Sequence, residues 1–205
     1  MNQDGDGGKS LVAPSVKAQI AMYEAALEQA SLRPGGIDYI EAHGTGTKVG
    51  DSVEFKAIQT IHQGYHSKEN PLIIGALKSN LGHTISSSGI AALIKVICAL
   101  KYETIPPNLH YSSPNQSINP EIIPARFPVE AIPFKHCNSR KRYAQLSNFS
   151  FSGTNVSVIV EEAPHLVVVR TIASEKMSCF VISAASEESL KQMISKYLHY
   201  LPECS

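Results

Sequence analysis

Residues 39–47 read Tyr-Ile-Glu-Ala-His-Gly-Thr-Gly-Thr. An apolar run from Ile37 to Ile40 stops at one histidine set among small, alternating residues. This pattern predicts a buried strand, Ile37–Ala42, that delivers His43 to a loop at its C-terminal end. In open α/β sheets, ligands bind at that end of the strands.

The same pattern recurs downstream. The run Leu72–Leu77 predicts a second buried strand, and Lys78-Ser-Asn-Leu-Gly-His83 is the loop after it. Between the two lies a helical stretch opening at Gly50-Asp-Ser, with Asp51 or Ser52 as its cap and Val53, Ala57, Ile58 and Ile61 on one face. Before them, Ser15 caps a helix carrying Ile20, Tyr23, Leu27 and Ala30, which Arg33-Pro-Gly-Gly36 ends. After His83 a third helix begins near Ser86–Ser88 and is apolar almost all round, so it is expected to be buried. Residues 104–142 hold seven of the twelve prolines and are expected to wrap the surface as a long extended segment. Arg142–Phe149 and Asn155–Glu162 read as two strands joined by a tight turn. A boundary is expected at Glu161-Glu-Ala-Pro164, followed by a separate piece. That piece has short strands at Leu166–Val169 and Cys179–Ser183 and an amphipathic helix, Glu187–Leu201.

Bulk properties narrow the function classes. In 205 residues, 43% are hydrophobic and 18% charged, which suits a packed core. A formal net charge of +0 supplies no general attraction to nucleic acid or an anionic membrane, and neither is expected as a partner. No apolar run reaches the length of a membrane span, and Met1-Asn-Gln-Asp-Gly-Asp-Gly-Gly is unlike a signal peptide. The four cysteines show no Cys-x-x-Cys pairing, so a reduced, cytoplasmic setting is expected.

Several motifs compete for chemistry. His43 and His83, each after a buried strand and beside glycine, can each donate an N–H to a developing oxyanion if the fold brings them together. Lys78 stands at the end of the same strand as His83, suited to orienting a histidine or pairing with Glu41 or Glu54. Thr45 and Thr47 offer hydroxyls to the amides of an elongated polar ligand. Gly44-Thr-Gly-Thr-Lys48 departs from the phosphate-loop template. His62-Gln-Gly-Tyr-His66 has zincin spacing, but Gln63 cannot act as the general base, and no metal site is expected. No Gly-x-Ser-x-Gly elbow surrounds Ser86–Ser88.

Taken in order, these stretches match a family. Glu41-Ala-His-Gly-Thr-Gly-Thr47, Gly50-Asp-Ser-Val-Glu54, Leu77-Lys-Ser-Asn-Leu-Gly-His83, Ile105-Pro-Pro, Asn148-Phe-Ser-Phe-Ser-Gly-Thr-Asn155 and Glu161-Glu-Ala-Pro164 follow one another. They resemble the C-terminal half of a β-ketoacyl synthase domain of a modular polyketide synthase or type I fatty acid synthase. The resemblance covers about residues 2–164. Residues 165–205 are similar to the linker between such a ketosynthase and an acyltransferase domain, a small α+β piece.

This resemblance implies an α/β, thiolase-like fold, in which a mixed sheet is layered between helices. It also implies decarboxylative Claisen condensation at a Cys-His-His site. His43 and His83 would be the two catalytic histidines, with Lys78 as the lysine of the second motif. Thr45 and Thr47 would contact the phosphopantetheine arm of an acyl carrier protein, with no cofactor bound by the chain itself. Phe149 and Phe151 would lie in the turn that gates the pocket, the Phe151 N–H contributing to the oxyanion hole. The missing N-terminal half, a homodimer of the complete domain and a downstream acyltransferase domain are the implied partners.

The chain also departs from the family. Its nucleophilic cysteine belongs to a Thr-Ala-Cys-Ser-Ser motif, which does not occur here. Ile85 stands where a glutamate is usual, Ser150 where a glycine is usual, and Ser157 where a histidine is usual. The first reading is therefore half of a condensing enzyme, inactive alone. A second is a ketosynthase-like scaffold that docks a carrier protein without chemistry. The chain alone should not be acylated by an acyl thioester. Covalent loading of Cys98, Cys137, Cys179 or Cys204, abolished by mutating that cysteine, would overturn this.

Overall fold

The computed structural model describes residues 1–4, 14–113, 115, 118–119, 122–136, 140–164 and 181–200. The chain divides into two compact units, Met1–Pro164 and His165–Ser205.

In the first unit the elements run β1 (Asn2–Gln3), α1 (Val16–Gln29), β2 (Tyr39–Glu41), α2 (Lys48–His62), β3 (Leu72–Gly75), α3 (Lys78–Leu81), α4 (Ser88–Lys101), β4 (Thr104–Ile105), β5 (Ala125–Arg126), β6 (Ile132–Pro133), β7 (Tyr143–Phe149) and β8 (Thr154–Glu161). Six strands form one mixed sheet in the order β1-β8-β7-β2-β3-β5. The central strand β2 pairs in parallel with β3 and with β7, while β7 and β8 form an antiparallel hairpin. β2 and β3 pair in register, Glu41 opposite Gly75, so the loops that follow them leave the sheet side by side.

Side-chain alternation divides the core. On one face, Ile40, Leu72 and Ile74 pack with Met22, Tyr23 and Leu27 of α1 and with Phe55, Ile58 and Ile61 of α2. On the other, Tyr39, Ala144 and Leu146 pack with Val96, Ala99 and Leu100 of α4. The sheet is thus layered between helices, as expected. Ser15 caps α1 by accepting the Ala18 N–H at 3.2 Å.

Several expectations are corrected. α2 begins at Lys48 because Thr47, and neither Asp51 nor Ser52, is its cap, accepting the Gly50 N–H at 3.1 Å. α4 is not buried all round. One sheet covers only one side of a helix, and Ile90, Ile94 and Ile97 are 57%, 55% and 47% exposed on the other. The proline-rich segment supplies the edge strand β5 and the β4–β6 ribbon, and does more than wrap the surface. α2 ends at His62 and Gly64 adopts φ +82°, so His66 lies beyond the helix, its Nε2 3.2 Å from His62 Nδ1. Among the described residues no helix is long and apolar enough to cross a membrane.

The second unit contributes α5 (Glu187–Tyr200) to the described residues. The strand expected at Leu166–Val169 lies outside them. So does that at Cys179–Ser183, apart from residues 181–183, which carry no strand. Cys137, Cys179 and Cys204 also lie outside them.

The first unit closes on a buried ion pair. Arg142 donates from Nε to Glu162 Oε2 at 3.0 Å and from Nη2 to Oε1 at 2.8 Å. These bonds hold the Glu162 carboxyl down at about 2. A carboxyl depressed on folding contributes stability that is present above its ordinary value near 4.5 and is lost as pH falls through about 2. Glu162→Gln should therefore lower the melting temperature by several degrees at pH 7, with the gap to wild type narrowing toward pH 2. Parallel melts across that range check it, and a constant gap would refute it.

Candidate functional site

β2 and β3 each end in a loop whose leading N–H groups have left the sheet ladder and need acceptors. Two buried carboxylates provide them. Glu54 of α2 accepts the His43 N–H at 2.8 Å, the Gly44 N–H at 3.0 Å and the Ser147 hydroxyl at 2.7 Å. Glu41 of β2 accepts the Leu77 N–H at 2.5 Å. Gly44 sits at φ +48°, and a Cβ on it would fall 2.6 Å from the Ala76 side chain, so only glycine lets the two loops touch here.

The fold brings His43 and His83 together. Their ring centroids are 5.7 Å apart with the planes at 87°. His43 is half-buried and His83 is exposed. Lys78 reaches back from α3, donating to the His43 carbonyl and placing Nζ 3.3 Å from His43 Nδ1. The Phe149 N–H approaches the same nitrogen at 3.4 Å.

A proton on Nδ1 would face an ammonium at that distance. Nδ1 is therefore the acceptor, and Nε2 carries the hydrogen. Asn148 Oδ1 stands 2.9 Å from Nδ1 and 3.1 Å from the Ser88 hydroxyl, so this tautomer requires the amide turned by a half-turn, its NH2 then donating to Nδ1 and to Ser88 Oγ. In His83 the Ile85 N–H points at Nδ1 from 3.0 Å, which again assigns the hydrogen to Nε2 in the neutral ring. Ile85 makes this bond from φ +50°, a strained conformation for a β-branched residue. Two neighbouring imidazoles thus each hold an N–H on the nitrogen left free for a ligand.

Burial pushes the His43 imidazole down to about 4, and the Lys78 charge adds to that shift. Desolvation also lowers Lys78. His43 is accordingly neutral at pH 7 and offers a single N–H.

The remaining sequence-predicted residues separate. Thr45 and Thr47 follow His43, their hydroxyl oxygens 3.1 Å apart. Thr47 spends one lone pair on capping α2, which leaves Thr45 the freer of the two. Thr45 lines a cavity of about 290 Å³ with Asp51, Glu54, Lys78, Asn108 and Tyr111. That cavity shares Lys78 with the histidine pair, but neither histidine lines it. Phe149 packs its ring 5.2 Å from His43, whereas Phe151 stands at the tip of the β7–β8 turn, 84% exposed. Cys98, the cysteine among the described residues, lies exposed on α4.

The C-terminal domain model of β-ketoacyl synthases matches residues 1–112. This chain belongs to the β-ketoacyl synthase family. It is the C-terminal half of a ketosynthase domain of the modular polyketide synthase type, with a thiolase-like fold. Polyketide synthase PksL of Bacillus subtilis (strain 168) is 35% identical to it over 192 residues, 93% of this chain and 4% of that protein. Pikromycin polyketide synthase component PikAIII of Streptomyces venezuelae is 40% identical over 166 residues, 80% of this chain and 10% of that protein. The solved ketosynthase from module 6 of the bacillaene synthase of Bacillus subtilis 168 superposes with a TM-score of 0.80 at 32% identity, across 98% of this chain and 34% of that one. The chain therefore spans about a third of that ketosynthase and a tenth or less of these two curated relatives.

Sequence reasoning missed Asn148 as a site residue of this ketosynthase half and treated Glu41 and Glu54 only as partners for Lys78. The signal for Asn148 was its place at the end of β7, the strand paired to β2. In Lys78→Met the His43 titration midpoint should rise from about 4 yet stay below 6.5, because burial outweighs the lysine charge. Imidazole NMR against pH reads this directly, and an unmoved or falling midpoint would contradict the assigned tautomer.

Proposed function

We propose that this chain supplies the histidine pair of a β-ketoacyl synthase that performs decarboxylative Claisen condensation in polyketide assembly. The observation that carries the reading is the juxtaposition of His43 and His83, each with Nδ1 occupied by a donor and Nε2–H free.

A malonyl thioester arrives on the phosphopantetheine arm of an acyl carrier protein, whose amides meet the Thr45 and Thr47 hydroxyls. The two Nε2–H groups receive the thioester oxygen. The bond from the α-carbon to the carboxylate breaks, carbon dioxide leaves, and its electron pair forms an enolate whose oxygen takes the charge. Donors held in place before the reaction stabilise that charge without solvent reorganisation. The enolate carbon then attacks an acyl thioester and expels a cysteine thiolate. That cysteine comes from the N-terminal half of the domain, in its Thr-Ala-Cys-Ser-Ser motif. The Phe151 N–H would help hold the second oxyanion, and Phe149 and Phe151 would gate the approach.

The N-terminal half is the natural cover for the outward stripe of α4, where Ile90, Ile94 and Ile97 are exposed. The complete domain would dimerise, residues 165–205 would lead as a linker to an acyltransferase domain, and the whole would work in the cytoplasm.

Combining the chain with an N-terminal ketosynthase half and a malonyl-loaded carrier protein tests this. Decarboxylation should appear only in the mixture, and His43→Ala and His83→Ala should each slow it roughly 100- to 1000-fold. A mixture that binds the carrier yet releases no carbon dioxide would instead favour a docking scaffold, and a His43→Ala variant of unchanged rate would remove His43 from the reaction.

A further inference from the structure

Glu41 lies two residues before His43 and is wholly buried on the sheet face that α4 covers. Two hydrogen-bond donors and one ammonium converge on its carboxylate. The Tyr39 hydroxyl bonds Oε2, Lys95 Nζ of α4 lies 2.8 Å from the same oxygen, and the Leu77 N–H reaches Oε1. Lys95 is itself buried, its side chain 6% exposed.

Such a pair needs a reason. Ion pairs taken out of water gain little net stability, and well-packed apolar residues often replace them without loss. The room for this one is also specific. A Cβ on Gly75 would fall 2.4 Å from the Tyr39 hydroxyl oxygen, so the glycine keeps open the path by which Tyr39 reaches Glu41.

The reason lies in what the carboxylate holds. Leu77 opens α3, whose leading N–H groups have no partner inside the helix. Asn108 Oδ1 accepts the Ala76 N–H at 2.8 Å, and Glu41 accepts the next one, from Leu77. The Leu81 N–H returns to the Leu77 carbonyl at 3.1 Å, so the position of Leu77 sets where the turn bearing Lys78 begins. Lys78 then crosses to the His43 carbonyl and to His43 Nδ1. The path closes on itself: Glu41, Leu77, Lys78, His43, and back along two residues of backbone to Glu41.

We infer that Glu41, held by Lys95, is a positioning residue: by gripping the Leu77 N–H it places Lys78, and through Lys78 it sets the tautomer of His43. The role of that tautomer rests on the function proposed above, whereas the placement itself does not.

Two double variants separate gripping from mere filling of the core. Glu41→Met with Lys95→Met removes both charges and every acceptor for Leu77, while keeping apolar volume. Glu41→Gln with Lys95→Met removes both charges but leaves a carbonyl oxygen for the Leu77 N–H. Two readouts apply to each: exchange of the Leu77 amide hydrogen, and the His43 titration followed by imidazole nitrogen NMR. Lys78, His83 and the Glu54 carboxylate are the charged or titratable groups around that imidazole, and none is altered.

The Met/Met variant should speed Leu77 exchange at least about tenfold and raise the His43 midpoint from about 4 by roughly one pH unit, whereas the Gln/Met variant should keep both near wild type. A folded Met/Met variant with an unmoved His43 midpoint would overturn the inference. Equal losses in the two variants would overturn it too, since the acceptor would then not be what grips. Should the Met/Met variant not fold, the wild-type amides decide: a Leu77 amide exchanging as fast as the exposed Ser86 amide refutes the grip, and a protected one supports it. These readouts do not depend on turnover. A failed decarboxylation assay with an intact His43 response counts against the proposed function alone, and an unresponsive His43 in an active ketosynthase counts against the positioning role alone.

Discussion

The architecture depends on the buried carboxylate of Glu54. Where β2 ends, the chain must turn away from the sheet with the His43 and Gly44 N–H groups pointing inward. Unpaired, each would cost roughly 1–3 kcal/mol. Glu54 receives both and the Ser147 hydroxyl as well, so three elements, β2, α2 and β7, meet at one side chain. Burial raises the Glu54 carboxyl, and the three hydrogen bonds oppose that shift. The backbone of the histidine loop is thereby fixed from below before any ligand arrives.

On the other face of the sheet, Glu41 performs a similar service for the loop after β3. The two carboxylates act on opposite faces because their strand and helix put them there. Glu41 alternates with Ile40 on β2, and Glu54 rises from α2 on the Ile40 side. Between them the loops are pressed together at Gly44 and Ala76, close enough that no side chain fits on residue 44. Rigidity in the backbone leaves the imidazoles to be tuned by what faces their ring nitrogens, the Lys78 ammonium for His43 and the Ile85 N–H for His83.

Much of this was legible in the residues. The strands ending at His43 and before Lys78, the cap at Ser15 and the β7–β8 hairpin follow from periodicity and turn chemistry, which are local. Boundaries were less so. The α2 cap fell to Thr47 because its hydroxyl, and not that of Ser52, sits where the Gly50 N–H emerges. Strand β5 was illegible because two residues in a proline-rich segment carry no period, and its pairing with β3 is a long-range event. The half-exposed state of α4 was hidden for a different reason. A stripe of Ile90, Ile94 and Ile97 reads as core in any chain, and only the packing shows that this unit leaves it open.

Ordered motifs and hydrophobic periods are properties of neighbouring residues, and they were enough for the family, the layered α/β plan and the choice of His43, His83 and Lys78 as candidates. Long-range packing alone brings the two imidazoles edge to face, fills the space at both Nδ1 atoms, and sets Asn148, Glu54 and the Glu41–Lys95 pair behind them. Those facts join residues as far as 105 positions apart, and they arise because β2, β3 and β7 lie in one sheet and release their C-terminal ends at the same edge.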